Sequence, residues 1–285
     1  MASLQRISVS LIIVLSCLNA SGGDPWKPPA GAREAGMSYV CLTGNSFWSS
    51  FHNQALLAGS SLSAGFSYEN RFGIKELGTR YAALRVPAGN ASIGGVYSYF
   101  GYPDFRRQSA GIACGLQLSR KISAGAQVDY FSEKTTGEYS DHQAITFETG
   151  LLFSVNENVS LGVHVFNPLP DRLHDIKLPT IIRAGAGISL SPSLFAGFEA
   201  EMNDVSYRKA LVVRAGFDFE AIRHLFLRGG FSSENSSFSM GLGYDLGFVQ
   251  LDLAFATHDR LGITSTASFI FEIDKKKNLT QRAQR

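Results

Sequence analysis

Large apolar residues recur at every second position through residues 61–273, and the pattern restarts about fourteen times. Leu251-Asp252-Leu253-Ala254-Phe255-Ala256 is one instance, with Leu251, Leu253 and Phe255 on one face and Asp252 on the other. Side chains alternate across a strand, so such a segment is a strand with one greasy and one wet face. The expected strands cover 61–70, 77–87, 91–100, 107–119, 122–134, 143–155, 158–167, 179–190, 193–203, 207–219, 223–233, 236–245, 248–257 and 262–273. Strands of soluble proteins average about five or six residues, whereas a tilted strand crossing a bilayer needs about 9–11. These segments match the second length, and no helical periodicity intervenes to cover their apolar face. The pattern predicts an all-β protein: a transmembrane antiparallel β-barrel of about fourteen strands.

The connections support this. Pro87-Ala88-Gly89-Asn90, Ser119-Arg120-Lys121, Asn156-Glu157-Asn158 and Ser191-Pro192-Ser193 read as tight turns, and 101–106, 134–142 and 168–178 as longer loops. Outer-membrane barrels alternate short periplasmic turns with longer outer loops. An even strand count then puts both termini in the periplasm.

The two faces differ in charge. Phe198, Leu211, Phe217, Leu227, Phe238, Met240, Leu242, Phe269 and Phe271 fall on the expected lipid face. Asp129, Glu148, His164, Arg183, Glu199, Glu201, Arg208, Arg214, Asp218, Arg228, Asp245 and Asp252 fall on the other. Carboxylates and guanidiniums of mixed sign are tolerable inside a barrel when they pair. They predict a charge network that fills the lumen and fixes its shape; a polar track for a solute is the alternative.

Composition narrows the picture further. The 285 residues hold no linker-like stretch, so 61–273 reads as one barrel domain. The net charge of +2 supplies no field for nucleic acid. Arg6, the apolar run 7–18 and Ala20-Ser21-Gly22 read as a signal peptide over 1–22, with lipid attachment at Cys17 as the rival reading. Asp274-Lys275-Lys276-Lys277 opens a basic tail over 274–285, expected in the periplasm. Cys41 and Cys114 could form one disulfide but read more simply as two small apolar residues.

Chemical motifs are missing. No nucleophile elbow, zinc-helix or phosphate-loop pattern occurs, so no catalytic residue, cofactor or metal ligand is assigned and the chain is not read as an enzyme. His164, His174 and His258 read as lumen or loop residues, since no spacing pairs them with a nucleophile. Tyr97, Tyr99, Phe100, Tyr102 and Phe105 read as an interfacial aromatic girdle.

Residues 23–60 break the strand pattern. They carry Gly31-Ala32-Arg33-Glu34-Ala35-Gly36-Met37 and His52-Asn53-Gln54-Ala55-Leu56-Leu57-Ala58. Together with Leu251-Asp252-Leu253-Ala254-Phe255 and Leu261-Gly262-Ile263-Thr264 near the end, these resemble the PorV/PorQ family of outer-membrane proteins, relatives of FadL-type transporters. Ser38-Tyr39 stands where that family has Gly-Gly, and Asn45-Ser46 where it has an acidic pair. The resemblance implies an N-terminal hatch inside the barrel, with Gly31, Arg33, Gly36, Met37 and Asn53 as its candidate residues. It further implies a cell outer membrane location and an accessory role in protein export or surface attachment of the type IX kind, with secretion-system proteins or exported cargo as partners. FadL-like uptake of a hydrophobic small molecule and a structural barrel supporting another outer-membrane complex are the alternatives. Outer-membrane lipid is a partner in every case.

Overall fold

A computed structural model describes residues 29–136, 141–169, 178–205 and 208–273. The expected signal peptide, the basic tail, His174 and the side chain of Arg208 lie outside the described residues. Fourteen antiparallel strands form one closed barrel, each bonded to its neighbours in sequence. They are β1 (Ser63–Asn70), β2 (Gly78–Ala88), β3 (Ala91–Tyr102), β4 (Phe105–Gln117), β5 (Ile122–Thr135), β6 (His142–Ser154) and β7 (Val159–Phe166). The circle continues with β8 (Thr180–Ser191), β9 (Leu194–Val205), β10 (Arg208–Ile222), β11 (Leu225–Ser232), β12 (Ser237–Asp245), β13 (Val249–His258) and β14 (Gly262–Glu272). Among the described residues no helix is long and apolar enough to cross a membrane; the crossing is made by strands.

β1 pairs with β14 from Ser63 opposite Glu272 to Asn70 opposite Ser265. In hydrocarbon an unpaired backbone N–H or C=O has no water to turn to, so closure is the condition for a sheet to span a bilayer. The alternation predicted from sequence sets which side faces lipid. Phe198, Leu211, Phe238, Met240 and Phe269 stand on the outer wall, with Met240 64% exposed, whereas Glu199 is 0% and Arg228 4% exposed on the inner wall.

One end of the barrel carries the short turns. Asn156 Oδ1 accepts the backbone N–H groups of Asn158 (2.9 Å) and Val159 (2.8 Å), and Ser119 Oγ those of Lys121 (3.2 Å) and Ile122 (3.1 Å). These side-chain bonds stand in for the ladder bonds that stop there. The opposite end carries the longer loops, with one correction: β3 and β4 continue to Tyr102 and Phe105, so only Pro103 and Asp104 remain of the loop expected over 101–106. Ring contacts within the hairpin, Phe100 to Phe105 and Tyr102 to Phe105 at 6.0 Å each, extend the pairing.

Met240→Arg places a cation on the lipid face near the middle of β12, which costs about 2–4 kcal/mol in a bilayer. Reversible unfolding from phospholipid vesicles should register that loss.

Candidate functional site: the barrel interior

Residues 30–58 lie inside the barrel. A five-residue helix, α1 (Ala32–Gly36), is followed by two 3-10 turns, Phe47–Phe51 and Gln54–Leu57. Both turns are capped by side chains: Ser46 Oγ accepts the N–H of Trp48 at 3.0 Å, and Asn53 Oδ1 that of Ala55 at 3.1 Å. Segments this short gain little from helix propensity; contacts with the wall hold them.

The wall makes room with glycine. Every strand except β2, β13 and β14 directs a glycine at this segment: Gly65, Gly94, Gly115, Gly125, Gly150, Gly162, Gly187, Gly197, Gly216, Gly230 and Gly241. A Cβ at Gly115 would come within 2.5 Å of the Gln54 carbonyl oxygen, and one at Gly216 within 2.5 Å of that of Met37. At Gly241 it would approach the Gly36 Cα at 3.1 Å. The three remaining strands use other small residues: Ala83, Ala254 and Ser268, whose Oγ accepts the N–H of Ala32 at 2.7 Å. The register aligns part of this belt, with Gly115 opposite Gly125 and Gly125 opposite Gly150. A second run passes from Gly187 through Gly197 and Gly216 to Gly230. Glycine inside a strand costs about 0.5–1 kcal/mol relative to alanine. Burying one large apolar side chain returns about 1.5–3 kcal/mol, and Trp48, Leu42, Met37 and Leu57 are all fully buried.

An aromatic cluster anchors one side. Trp48 meets Phe47 edge-on at 5.0 Å and Phe51 at 6.0 Å, and Phe51 meets Tyr81 of β2 at 5.8 Å. The Arg85 guanidinium lies 5.1 Å from the Phe47 ring centre and donates to the Ser46 carbonyl at 2.7 Å.

Charged side chains hold the other side, in three groups. Arg33 Nε donates to Asp218 Oδ2 (2.9 Å), Arg228 Nε to Asp218 Oδ1 (3.0 Å), and Arg228 Nη1 to Asp252 Oδ1 (2.6 Å). In the second group Arg183 pairs with Glu199 (2.8 Å) and Glu201 (3.4 Å), and Arg214 with Glu201 (2.8 Å) and Glu234 (3.1 Å). Glu199 Oε1 also accepts the N–H groups of Cys41 (2.5 Å) and Leu42 (2.6 Å), tying that group to the segment. In the third, Gln54 and Gln127 donate to Glu148 Oε1 at 2.7 and 2.8 Å, Gln127 also reaches Asp129 at 2.7 Å, and His164 Nε2 stands 3.0 Å from Glu148 Oε2. Buried charges cost free energy unless paired and hydrogen-bonded, and these pair across strand and segment alike.

Glu34 and Cys41 are among the groups on the segment displaced from ordinary titration. Burial raises the Glu34 carboxyl, against Arg33 and the Ser46 hydroxyl, which pull it down. Burial likewise pushes the Cys41 thiol up to about 12. Cys41 and Cys114 are both free, one buried and one on the outer wall.

The candidate hatch residues are brought together here. Gly31 sits at φ 102 where a side chain would strike Glu34 and Trp48. Arg33 reaches Asp218, Gly36 packs on Gly241, and Met37 covers Gly216 and Gly230. Asn53 Nδ2 donates to the carbonyl of Leu42 at 2.8 Å. Ser38 and Tyr39, which stand where the PorV/PorQ pattern has Gly-Gly, adopt φ 53 and 62. A left-handed non-glycine residue costs roughly 1–2 kcal/mol, offset here by bonds from Ser38 Oγ to Ser239 Oγ (2.8 Å) and from Tyr39 OH to Glu69 (2.9 Å).

Asp245 is a correction: it lies at the short-turn end, where its Oδ1 accepts the Gly247 N–H at 2.7 Å and its Oδ2 is 3.9 Å from His224 Nδ1. It closes a turn, outside the three groups. Gln54, Gln127, Glu69 and Glu234 were absent from the expected network. Gln127 carried a usable signal, since it sits two positions from Asp129 and shares its face. The inward glycines carried one too, recurring at the parity of the charged positions.

Beyond the segment, towards the long-loop end, Phe131, Ala144, Phe166, Leu178 and Ile181 form an apolar cluster on the inner side of β5–β8. Asn167 closes it from above, donating to the carbonyl of Leu178 at 2.9 Å and accepting from Thr146 at 2.7 Å.

No protein-family model matches the sequence, and no curated protein matches it. Solved structures do. The Ralstonia pickettii toluene transporter TbuX is 10% identical with a TM-score of 0.70, over 88% of this chain and 100% of that one. The monoaromatic hydrocarbon channel CymD is 12% identical with a TM-score of 0.71, over 85% and 97%. A Pseudomonas aeruginosa FadL homologue is 11% identical with a TM-score of 0.64, over 87% and 99%. At such identities the likeness is one of fold: the chain has a FadL-like barrel.

Two substitutions probe the interior. Gly125→Leu should speed hydrogen exchange across residues 47–57 by about tenfold, given that overpacking costs about 1–3 kcal/mol. Gly95→Leu should leave it unchanged, because a Cβ there meets nothing within 4 Å. Arg228→Ala leaves Asp218 and Asp252 without their shared cation and should lower stability by about 3–5 kcal/mol in thermal or denaturant unfolding.

Proposed function

We propose that this chain is an outer-membrane transporter for a small hydrophobic solute, with residues 30–58 as its hatch. The long-loop end then faces the outside and the short-turn end the periplasm, as the count of strands favours. The carrying observation is how the interior is filled. Charged side chains facing the segment are engaged with one another, with amides or with its backbone, so a charged solute is offered few partners. The buried apolar cluster of Phe131, Phe166, Leu178 and Ile181 near the long-loop end would give an uncharged solute apolar contacts on parting. Ligand sites of this kind are mostly apolar with a few placed polar groups, and Gln127, Glu148 and His164 are the polar groups next along the same strands. The fold likeness to TbuX and CymD, described as a toluene transporter and a monoaromatic hydrocarbon channel, supports a hydrocarbon as the solute class.

The export role implied by the PorV/PorQ resemblance is the weaker reading. Turns as short as Pro103-Asp104 at the long-loop end give cargo little surface to hold.

Intact Gram-negative cells expressing the chain should take up a labelled monoaromatic hydrocarbon several-fold faster than cells without it, and a labelled disaccharide at an unchanged rate. Equal acceleration of both would mark an open pore and sink the hydrophobic reading, as would no acceleration of either.

A further inference from the structure

We propose that the outer wall of β2–β5, at the long-loop end, binds a phosphorylated glycolipid headgroup of the adjoining leaflet. Three cations project outward here: Arg80 on β2, Arg106 on β4 and Lys134 on β5. The parity is fixed by their neighbours. Arg80 alternates with buried Tyr81 and shares its face with exposed Leu84, while Arg106 shares its face with Ile112, the latter 72% exposed.

Register places the three side by side. Arg80 stands opposite Tyr99 and Arg106 opposite Gly101 on the intervening strand, and Arg106 in turn stands opposite Lys134. Adjacent strands are about 4.8 Å apart, so Arg80 and Arg106 flank β3 from roughly 10 Å across. Between them the outer face of β3 steps from Tyr99 to Gly101, which leaves a notch. The Arg80 guanidinium lies 5.6 Å from the Tyr99 ring centre, held along the wall.

Their pairing sets them apart. Arg33, Arg183, Arg214 and Arg228 in the interior are matched with carboxylates, and Arg107, the residue next to Arg106, pairs with Glu133 at 2.5 Å on the inner side. Among the described residues Arg80 and Arg106 form no ion pair. Lys134 is only loosely engaged, 3.9 Å from Asp141 with both side chains about half exposed. Asp104 in the β3–β4 turn and Glu76 in the 3-10 turn Lys75–Leu77 are further carboxylates at this end. At the same end the outer wall of β8–β12 presents Ile182, Met202, Leu211 and Phe238.

The height suits a headgroup. Tyr68, Tyr97 and Tyr130 stand on the same stretch of outer wall, each about 42% exposed, and outward tyrosines mark the interface between hydrocarbon and headgroup. Arg80 lies level with Tyr68, and Arg106 and Lys134 lie two outward positions beyond Tyr97 and Tyr130. Two guanidiniums suit a phosphomonoester, which carries close to two charges and three acceptor oxygens, better than a singly charged phosphodiester. The inference rests on the barrel orientation proposed above for its choice of leaflet, but its test is independent of solute uptake.

The full chain, purified in detergent, is titrated separately with lipid A, phosphatidylglycerol and phosphatidylcholine, and bound lipid is counted by native mass spectrometry. Lipid A should bind at least about tenfold more tightly than either phospholipid, and the double variant Arg80→Gln with Arg106→Gln should lose about tenfold of that affinity. Lys121→Gln, at the opposite rim, should leave it unchanged, and heat-modifiable migration verifies that each variant is folded. Phosphatidylglycerol binding as tightly as lipid A, or a double variant that binds lipid A like the parent, overturns the proposal.

Discussion

Fourteen strands enclose more space than their own inward side chains can fill. An eight-stranded barrel packs its interior with side chains, and a porin of sixteen or more leaves an aqueous channel. This barrel resolves the intermediate case with its own residues 30–58, which approach the wall closely because the wall is glycine where they touch it. The contacts between segment and wall depend on that approach. Arg33 reaches Asp218 where backbone lies against backbone at Gly36 and Gly241, and the Glu199 carboxylate accepts two N–H groups of the segment where nearby Gly197 leaves space for Val40.

The arrangement divides labour between packing and charge. The aromatic cluster around Trp48 supplies non-directional burial near β1–β3, while Arg33, Asp218 and Arg228 fix position through directed bonds. Paired buried charges add modestly to stability when intact but are costly to break. The segment is therefore held in one register, and any movement of it must separate ions in a water-poor interior. Apolar contacts alone would allow it to slide.

Much of the wall was legible in the chain. The predicted strands 122–134 and 262–273 fall within a residue of β5 and β14, and Glu199, Arg214, Arg228 and Asp252 face inward as their parity required. That success has a simple cause: a period of two, repeated over ten or more residues, admits only two parities, and lipid penalises the wrong one. Loops were less legible. Pro103-Asp104 became a two-residue turn because Phe100, Tyr102 and Phe105 pair across it, a ring contact that no local turn signal announces. Asp245 had the correct parity but the wrong height, and height along a strand is not encoded in alternation.

Sequence by itself determined that this is a transmembrane barrel of fourteen strands with an apolar outer face and a charged inner one, because strand alternation and bilayer thickness are local constraints. Only the tertiary structure decided which charges meet. Arg33 finds Asp218 and Gln54 finds Glu148 across separations of 185 and 94 residues, distances over which no pattern in the chain specifies a partner. It also decided what the glycines are for: in the sequence they read as loss of strand propensity, and in the closed barrel they form the surface on which the N-terminal segment rests.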